Sequence, residues 1–179
     1  MYGCQGARKV RRGRQTGHRE YQDEKWHVYG DEKSLHYNPP SPYSYRQLLK
    51  LARSPVLGAR RASANYLYAF LTSASAGHLA SFLRDPDPKV RYYAAISLGR
   101  YGVAKGRLRR NAVNALINVF MNEPDSSARK EMEGALGRSG DPKAVSALRR
   151  ALRRYPKDQI SIEQSLEEAE RLSCGRREL

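Results

Sequence analysis

The chain has 179 residues, of which 40% are hydrophobic, so it is long enough and apolar enough for one folded domain with a buried core. Its two cysteines, Cys4 and Cys174, lie at opposite ends of the chain, which excludes a disulfide framework and predicts a reducing, intracellular compartment. No apolar run approaches the length that spans a bilayer, and the N-terminal residues lack the apolar stretch of a secretory signal.

The positive charge is concentrated in the middle of the chain. The formal net charge is +15, and residues 41–110 contain 13 Lys and Arg against two acidic residues, Asp85 and Asp87. An ordinary solvated surface intersperses both signs, so this distribution predicts a polyanionic partner, with nucleic acid as the leading candidate.

Residues 1–42 have no helical periodicity and end in Asn38-Pro39-Pro40-Ser41-Pro42, where prolines favour extended chain. We therefore predict an extended N-terminal arm that carries aromatic residues among its charges. Its basic run can be an RNA-threading arm, a nuclear-localisation-like signal or part of a transit peptide, and the last option permits the mitochondrial matrix as an alternative to the cytoplasm. The run consists of Arg8, Lys9, Arg11, Arg12 and Arg14.

Residues 43–175 form the predicted repeat domain, and residues 176–179 a short C-terminal tail. Breakers rich in Pro, Gly and Asp separate helical segments that come in pairs. The predicted helices span 43–53, 56–71, 77–84, 88–101, 107–122, 126–138, 142–154 and 159–173. The predicted fold is therefore all-α, a short α-solenoid of about four helix pairs that follows the N-terminal arm.

Self-comparison supports the repeat. Leu98-Gly99-Arg100-Tyr101-Gly102 returns as Leu136-Gly137-Arg138-Ser139-Gly140, a shift of 38 residues that is typical of helix-pair solenoids. The segment from Asp85 to Gly99, DPDPKVRYYAAISLG, resembles the second helix of HEAT repeats, in particular the short HEAT-like repeats named after the phycobilisome lyases. This resemblance implies an internal ladder between repeats made by turn aspartates and helix arginines, which gives scaffold roles to Asp87, Arg91, Asp125 and Arg129.

Several proteins of HEAT-like fold are enzymes, so their chemistry is the alternative to binding. Metal-dependent hydroxylases of this fold carry His-Glu pairs, whereas here no histidine is next to a carboxylate in the sequence, and the nearest pair is His18 and Glu20 in the arm. HEAT-like DNA glycosylases use aromatic side chains and a catalytic carboxylate in a basic groove, but Trp26 belongs to the arm, and Asp85 and Asp87 belong to a turn. We therefore expect no metal, no cofactor and no enzymatic activity.

The predicted phosphate contacts centre on the fifth helix. Arg107, Arg109 and Arg110 crowd its positive N-terminal end, where they reduce stability unless an anion is present. Asparagines at helical spacing line one face of the same helix, although asparagine is a poor helix former. The predicted site in the repeat domain consists of Arg60, Arg61, Lys105, Arg107, Arg109, Arg110, Asn111, Asn114 and Asn118.

The arginines near the end of the seventh helix have a structural interpretation, because they complement the negative end of its macrodipole.

The leading functional hypothesis is a non-enzymatic structural protein of a ribonucleoprotein, namely a lineage-specific ribosomal subunit protein that contacts rRNA and neighbouring proteins, with an organellar ribosome among the options. The alternative is a protein-binding adaptor or accessory subunit of a multiprotein complex, with an organellar membrane complex among the options. A HEAT-like DNA-repair or lyase enzyme is the third hypothesis.

Overall fold

A computed structural model describes residues 41–70, 72–104 and 106–174, and these residues form eight α-helices and no strand. The helices are α1 (Tyr45–Ala52), α2 (Leu57–Tyr66), α3 (Ser73–Phe82), α4 (Pro88–Gly102), α5 (Arg107–Phe120), α6 (Ser126–Ser139), α7 (Pro142–Arg154) and α8 (Gln159–Cys174). Short 3₁₀ segments, Leu67–Phe70 and Pro156–Asp158, follow α2 and precede α8. The all-α prediction is confirmed, and the predicted tail and nearly all of the predicted arm lie outside the described residues.

The helices form two layers. The even-numbered helices α2, α4, α6 and α8 pack side by side in chain order, and each odd-numbered helix packs against its even-numbered partner. Apolar side chains from both layers meet between them and are fully buried. Examples are Leu48, Leu79, Leu116 and Leu148 from the odd layer, and Val90, Leu98, Leu136 and Ile162 from the even layer. A row of stacked helix pairs of this kind is an α-solenoid, as predicted.

Small residues let the even-numbered helices approach one another closely. A Cβ at Gly99 would lie 3.1 Å from the Ala135 Cβ, and a Cβ at Gly137 would lie 2.8 Å from the backbone oxygen of Ser165. The odd-numbered helices pack less closely against one another, and grooves open between them. The even layer therefore holds the stack together, and the odd layer presents a more open face.

Adding a methyl group to Gly137 should disrupt this contact. The obstacle is the backbone of α8, which cannot rotate away as a side chain can, so we expect Gly137→Ala to lower the free energy of unfolding by about 2 kcal/mol. Gly77 in α3 has no atom within 4 Å of a built Cβ, so Gly77→Ala should raise stability by up to ~1 kcal/mol through helix propensity. Urea unfolding of both variants checks the prediction, and equal stabilities would contradict the close packing of α6 and α8.

Side-chain caps fix several helix starts. The Asp87 carboxylate accepts a hydrogen bond from the Val90 amide at 2.9 Å, and the Asp125 carboxylate accepts one from the Ala128 amide at 2.8 Å. The predicted start of the third helix at residue 77 is wrong. It begins at Ser73, because Thr72 and Ser75 form a reciprocal capping box with both N–O distances at 3.1 Å.

A ladder of ion pairs connects successive repeats. In each pair, an arginine of an even-numbered helix reaches an acidic residue in or beside the turn that follows the next odd-numbered helix. The pairs are Arg60–Asp85, Arg91–Glu123 and Arg129–Asp158, each with an N–O distance of 2.8 Å. Each arginine also donates a hydrogen bond to a backbone carbonyl in the turn before its own helix. The ladder therefore ties side chains and turns of neighbouring repeats into one polar network.

The central pair is the least exposed one. The Arg91 guanidinium donates from Nε and Nη2 to the two carboxylate oxygens of Glu123, both at 2.8 Å, and the two side chains are 12% and 2% exposed. Glu123 also accepts a hydrogen bond from the Asp125 amide at 2.9 Å. Arg91 and Arg129 belong to the ladder as expected, and Asp87 pairs with Arg61. Asp125 also has a scaffold role, although as the cap of α6 and not as a ladder residue, because Glu123 receives the arginine.

Candidate nucleic-acid interface

The odd-numbered helices carry charge of one sign. α1, α3, α5 and α7 contain no Asp or Glu, and they contain ten Lys and Arg, with two in α1, three in α5 and five in α7. Of the even-numbered helices, α6 and α8 contain six glutamates and four basic residues, and α2 and α4 contain five basic residues and no acidic residue. Three of those five, Arg60, Arg61 and Arg91, are paired with acids of the turns. A face without any negative side chain attracts polyanions, because no acid screens its field. We call the exposed surface of α1, α3, α5 and α7 the odd-helix face.

The acidic residues of the turns are used within the fold. Four of them accept arginines from the even-numbered helices, and two others cap helix N-termini, as Asp87 does in addition to its ion pair. The four are Asp85, Asp87, Glu123 and Asp158, and the two caps are Asp125 and Asp141. Hydrogen bonds from the Arg61 guanidinium hold the pKa of Asp87 below its usual value, so this carboxylate stays ionised. The ladder therefore leaves the cations of the odd-helix face without those acids as partners.

The N-terminus of α5 is open. Gly106 precedes it with a φ of 67° and supplies no side-chain cap, and the first turn contains no acidic residue. Arg107 and Arg110 are exposed there and form no ion pair within the described residues. Arg109 is partly buried, and its Nε is enclosed without a hydrogen-bond acceptor among the described residues. Of the three predicted arginines, the structure therefore places Arg107 and Arg110 best for an external anion.

The asparagine stripe is exposed along α5. Asn111, Asn114 and Asn118 all lie on the surface of the odd-helix face. Asn114 and Asn118 line a groove of about 420 Å³ between α5 and α7. The other lining residues are Ile117, Lys143, Ser146 and Arg150. The structure thus brings two predicted residues together with two cations that are absent from the predicted set.

The basic residues of α7 were missed as site residues by sequence reasoning. Lys143, Arg150, Arg153 and Arg154 are exposed and form no ion pair with a described residue, whereas Arg149 forms an exposed pair with Glu170 at 2.7 Å. The arginines lie toward the C-terminus of α7, which explains some of their presence, but Lys143 lies in its first turn, and the helix dipole does not explain why all of them share a face with the basic end of α5. A count of charge by alternate helices would have identified them.

Two other predicted contacts have internal partners. Arg60 is a ladder residue, and the Arg61 guanidinium donates to both carboxylate oxygens of Asp87 at 3.1 and 2.9 Å. Both arginines belong to α2 in the even layer. Lys105 and the predicted arm residues Arg8, Lys9, Arg11, Arg12 and Arg14 lie outside the described residues. The site that the structure describes therefore centres on α5 and α7.

Glu133 is almost fully buried on α6, where its carboxylate accepts a hydrogen bond from the Ser161 hydroxyl at 2.8 Å and where burial raises its pKa. This contact joins α6 to α8 within the even layer. Among the described residues there is no group of three or more His, Cys, Asp or Glu side chains that could hold a metal ion.

No helix in the described ranges is both long enough and apolar enough to cross a membrane.

Paired helices in two layers, joined by a polar ladder, define the class of the protein as an α-solenoid interaction scaffold. The family model for HEAT repeats matches residues 76–167, just over half of the chain, and the chain therefore belongs to the HEAT repeat family. Among curated proteins it is similar to the phycocyanobilin lyase subunit alpha of Thermosynechococcus vestitus, with 38% identity over 79 residues. The match covers 40% of this chain and 29% of that relative, so the chain spans less than a third of the relative's length.

Proposed function

We propose that the protein is a non-enzymatic scaffold of a ribonucleoprotein, such as a ribosomal subunit protein of the cytoplasm or the mitochondrion, and that its odd-helix face holds RNA. One observation carries the proposal: the four helices of that face contain ten basic residues and no acidic residue. Phosphate contacts supply most sequence-independent affinity for nucleic acid, and arginine suits them because its planar fork donates several hydrogen bonds.

The alternative polyanion is an acidic protein, which would make the protein an adaptor of a multiprotein complex. The exposed asparagines favour RNA over this alternative. Carboxylates accept hydrogen bonds but do not donate them, so the carbonyl oxygens of an asparagine stripe would lack partners on an acidic surface. Ribose and bases offer both donors and acceptors, which an amide can satisfy together.

Photocrosslinking tests which face holds RNA. RNA that contains 4-thiouridine is bound to the full chain, irradiated and digested, and the crosslinked peptides are identified by mass spectrometry. Among crosslinks to residues 41–174, we expect most to fall in α5 and α7, with others in α1. Crosslinks concentrated in α4, α6 and α8 would contradict the proposal, as would the absence of crosslinks to this range when RNA is bound.

A second candidate function rests on the similarity to the lyase subunit. In this reading the chain is a subunit of a lyase that acts on a phycocyanobilin-like compound. The match spans 29% of that relative and leaves most of the relative's length unaligned. A shift in the absorption spectrum of phycocyanobilin on titration with the protein would favour this candidate. An unchanged spectrum would count against it and favour the RNA-scaffold proposal.

A further inference from the structure

We infer that the groove between α5 and α7 reads the ribose of an RNA strand through its 2′-hydroxyl group, so that the protein prefers RNA to DNA. This inference rests on the proposed function, because it assigns a specificity to the same face. The inference assigns two functions to different side chains of this face. The arginines and lysines bind phosphates of either nucleic acid, and the groove distinguishes the two sugars.

The groove between α5 and α7 is polar. Its neutral polar groups are the amides of Asn114 and Asn118 and the hydroxyl of Ser146, and its cations are Lys143 and Arg150. The Ser146 hydroxyl donates to the Pro142 carbonyl at 3.1 Å, which leaves its lone pairs available as acceptors. Among the residues that the structure describes, no acidic residue lines this groove. A phosphodiester can therefore enter it without meeting a like charge.

The two cations of the groove lie on either side of a neutral residue along α7. Lys143 and Arg150 are seven residues apart, so they lie about 10 Å apart along the helix axis, with Ser146 between them. Their long side chains can reach phosphates on either side of a central sugar. Asn114 and Asn118 lie one turn apart on the facing wall. The groove is thus cationic toward its ends and neutral in the middle, which matches the phosphate–ribose–phosphate order of a nucleic-acid strand.

The side-chain amides of Asn114 and Asn118 are suited to a ribose hydroxyl. An asparagine side chain both donates and accepts hydrogen bonds, and a 2′-hydroxyl does the same, whereas DNA offers only a C–H at that position. Each asparagine in the middle of α5 also lowers helix propensity relative to alanine. These residues are exposed and form no hydrogen bond with another described residue, so no role within the fold accounts for them.

The test compares three single-stranded probes of one sequence: RNA, 2′-O-methyl RNA and DNA. We expect the wild-type chain to bind RNA more tightly than the other two at equal salt. The double variant Asn114→Ala/Asn118→Ala should weaken RNA binding about tenfold, as expected for two lost hydrogen bonds, and should leave DNA binding unchanged. Alanine favours the helix at both positions, so the variant should fold.

The matched control is Asn122→Ala/Gln164→Ala, which removes two exposed side-chain amides that do not line the groove and that do not belong to the predicted site. It should keep the preference for RNA. Equal losses for RNA and DNA in the groove variant, or an unchanged RNA affinity, would overturn the inference and leave the proposed function intact. Absence of binding to every probe by the wild-type chain would overturn the proposed function itself.

Discussion

Replacement of Glu123 by glutamine should lower the free energy of unfolding by about 3 kcal/mol. Glu123 is only 2% exposed and receives two hydrogen bonds from Arg91, which is itself 12% exposed. The substitution keeps the shape of the side chain but removes its charge, so the Arg91 guanidinium stays largely buried without a counterion. Removal of one partner from a buried pair is far more harmful than removal of both. Urea denaturation at neutral pH, monitored by far-ultraviolet circular dichroism, measures the effect.

An exposed pair of the same chemistry provides the control. Arg149 and Glu170 form a contact of 2.7 Å, but their side chains are 63% and 41% exposed. Water solvates both charges when the pair is broken, so Glu170→Gln should change stability by less than about 1 kcal/mol. The double variant Arg91→Met/Glu123→Leu should recover much of the stability lost in Glu123→Gln. Similar losses in Glu123→Gln and Glu170→Gln would show that the ladder does not hold the repeats together.

The ladder also affects the surface. By pairing with Asp85, Glu123 and Asp158, the even-helix arginines neutralise acids that lie in or beside the turns. The basic residues of the odd-numbered helices therefore have few acidic neighbours. One set of contacts thus stabilises the solenoid and leaves one of its faces cationic.

The second large effect concerns that face. Substitution of Arg107, Arg110 and Arg150 by glutamine should weaken RNA binding roughly a hundredfold, at about 1 kcal/mol for each lost charged contact. All three side chains are exposed and form no ion pair with a described residue. Because Arg107 and Arg110 lie at the positive end of α5, their removal should raise stability by a few tenths of a kcal/mol each. If the variant binds RNA more weakly but is slightly more stable than the wild-type chain, the loss of affinity comes from lost contacts and not from misfolding.

Much of the fold could be predicted from sequence because proline, glycine and aspartate mark the helix ends. Asp87-Pro88 and Asp141-Pro142 give the starts of α4 and α7, since the aspartate caps the helix and proline suits its first residue. The start of α3 was misplaced, because Gly77 resembles a helix terminator while the cap is formed by the hydroxyls of Thr72 and Ser75.

The candidate site was less predictable, because exposure depends on contacts distant in sequence. Arg60 and Arg61 look like surface cations, and only the fold brings them against Asp85 and Asp87, some 25 residues away. A count of charge by segment located the basic middle of the chain but mixed the two layers. Lys143 and Arg150 lie beyond that segment, yet the fold places them across a groove from Asn114 and Asn118.

The salt dependence of RNA affinity tests the central claim most directly. The odd-face variant Arg107→Gln/Arg110→Gln/Arg150→Gln is compared with Lys89→Gln/Lys130→Gln/Arg171→Gln, which removes three exposed charges from the even-numbered helices. With the same RNA, the slope of log affinity against log salt should flatten by about 2 units in the odd-face variant and stay near the wild-type value in the other. Equal slopes in the two variants would contradict the assignment of RNA binding to the odd-helix face.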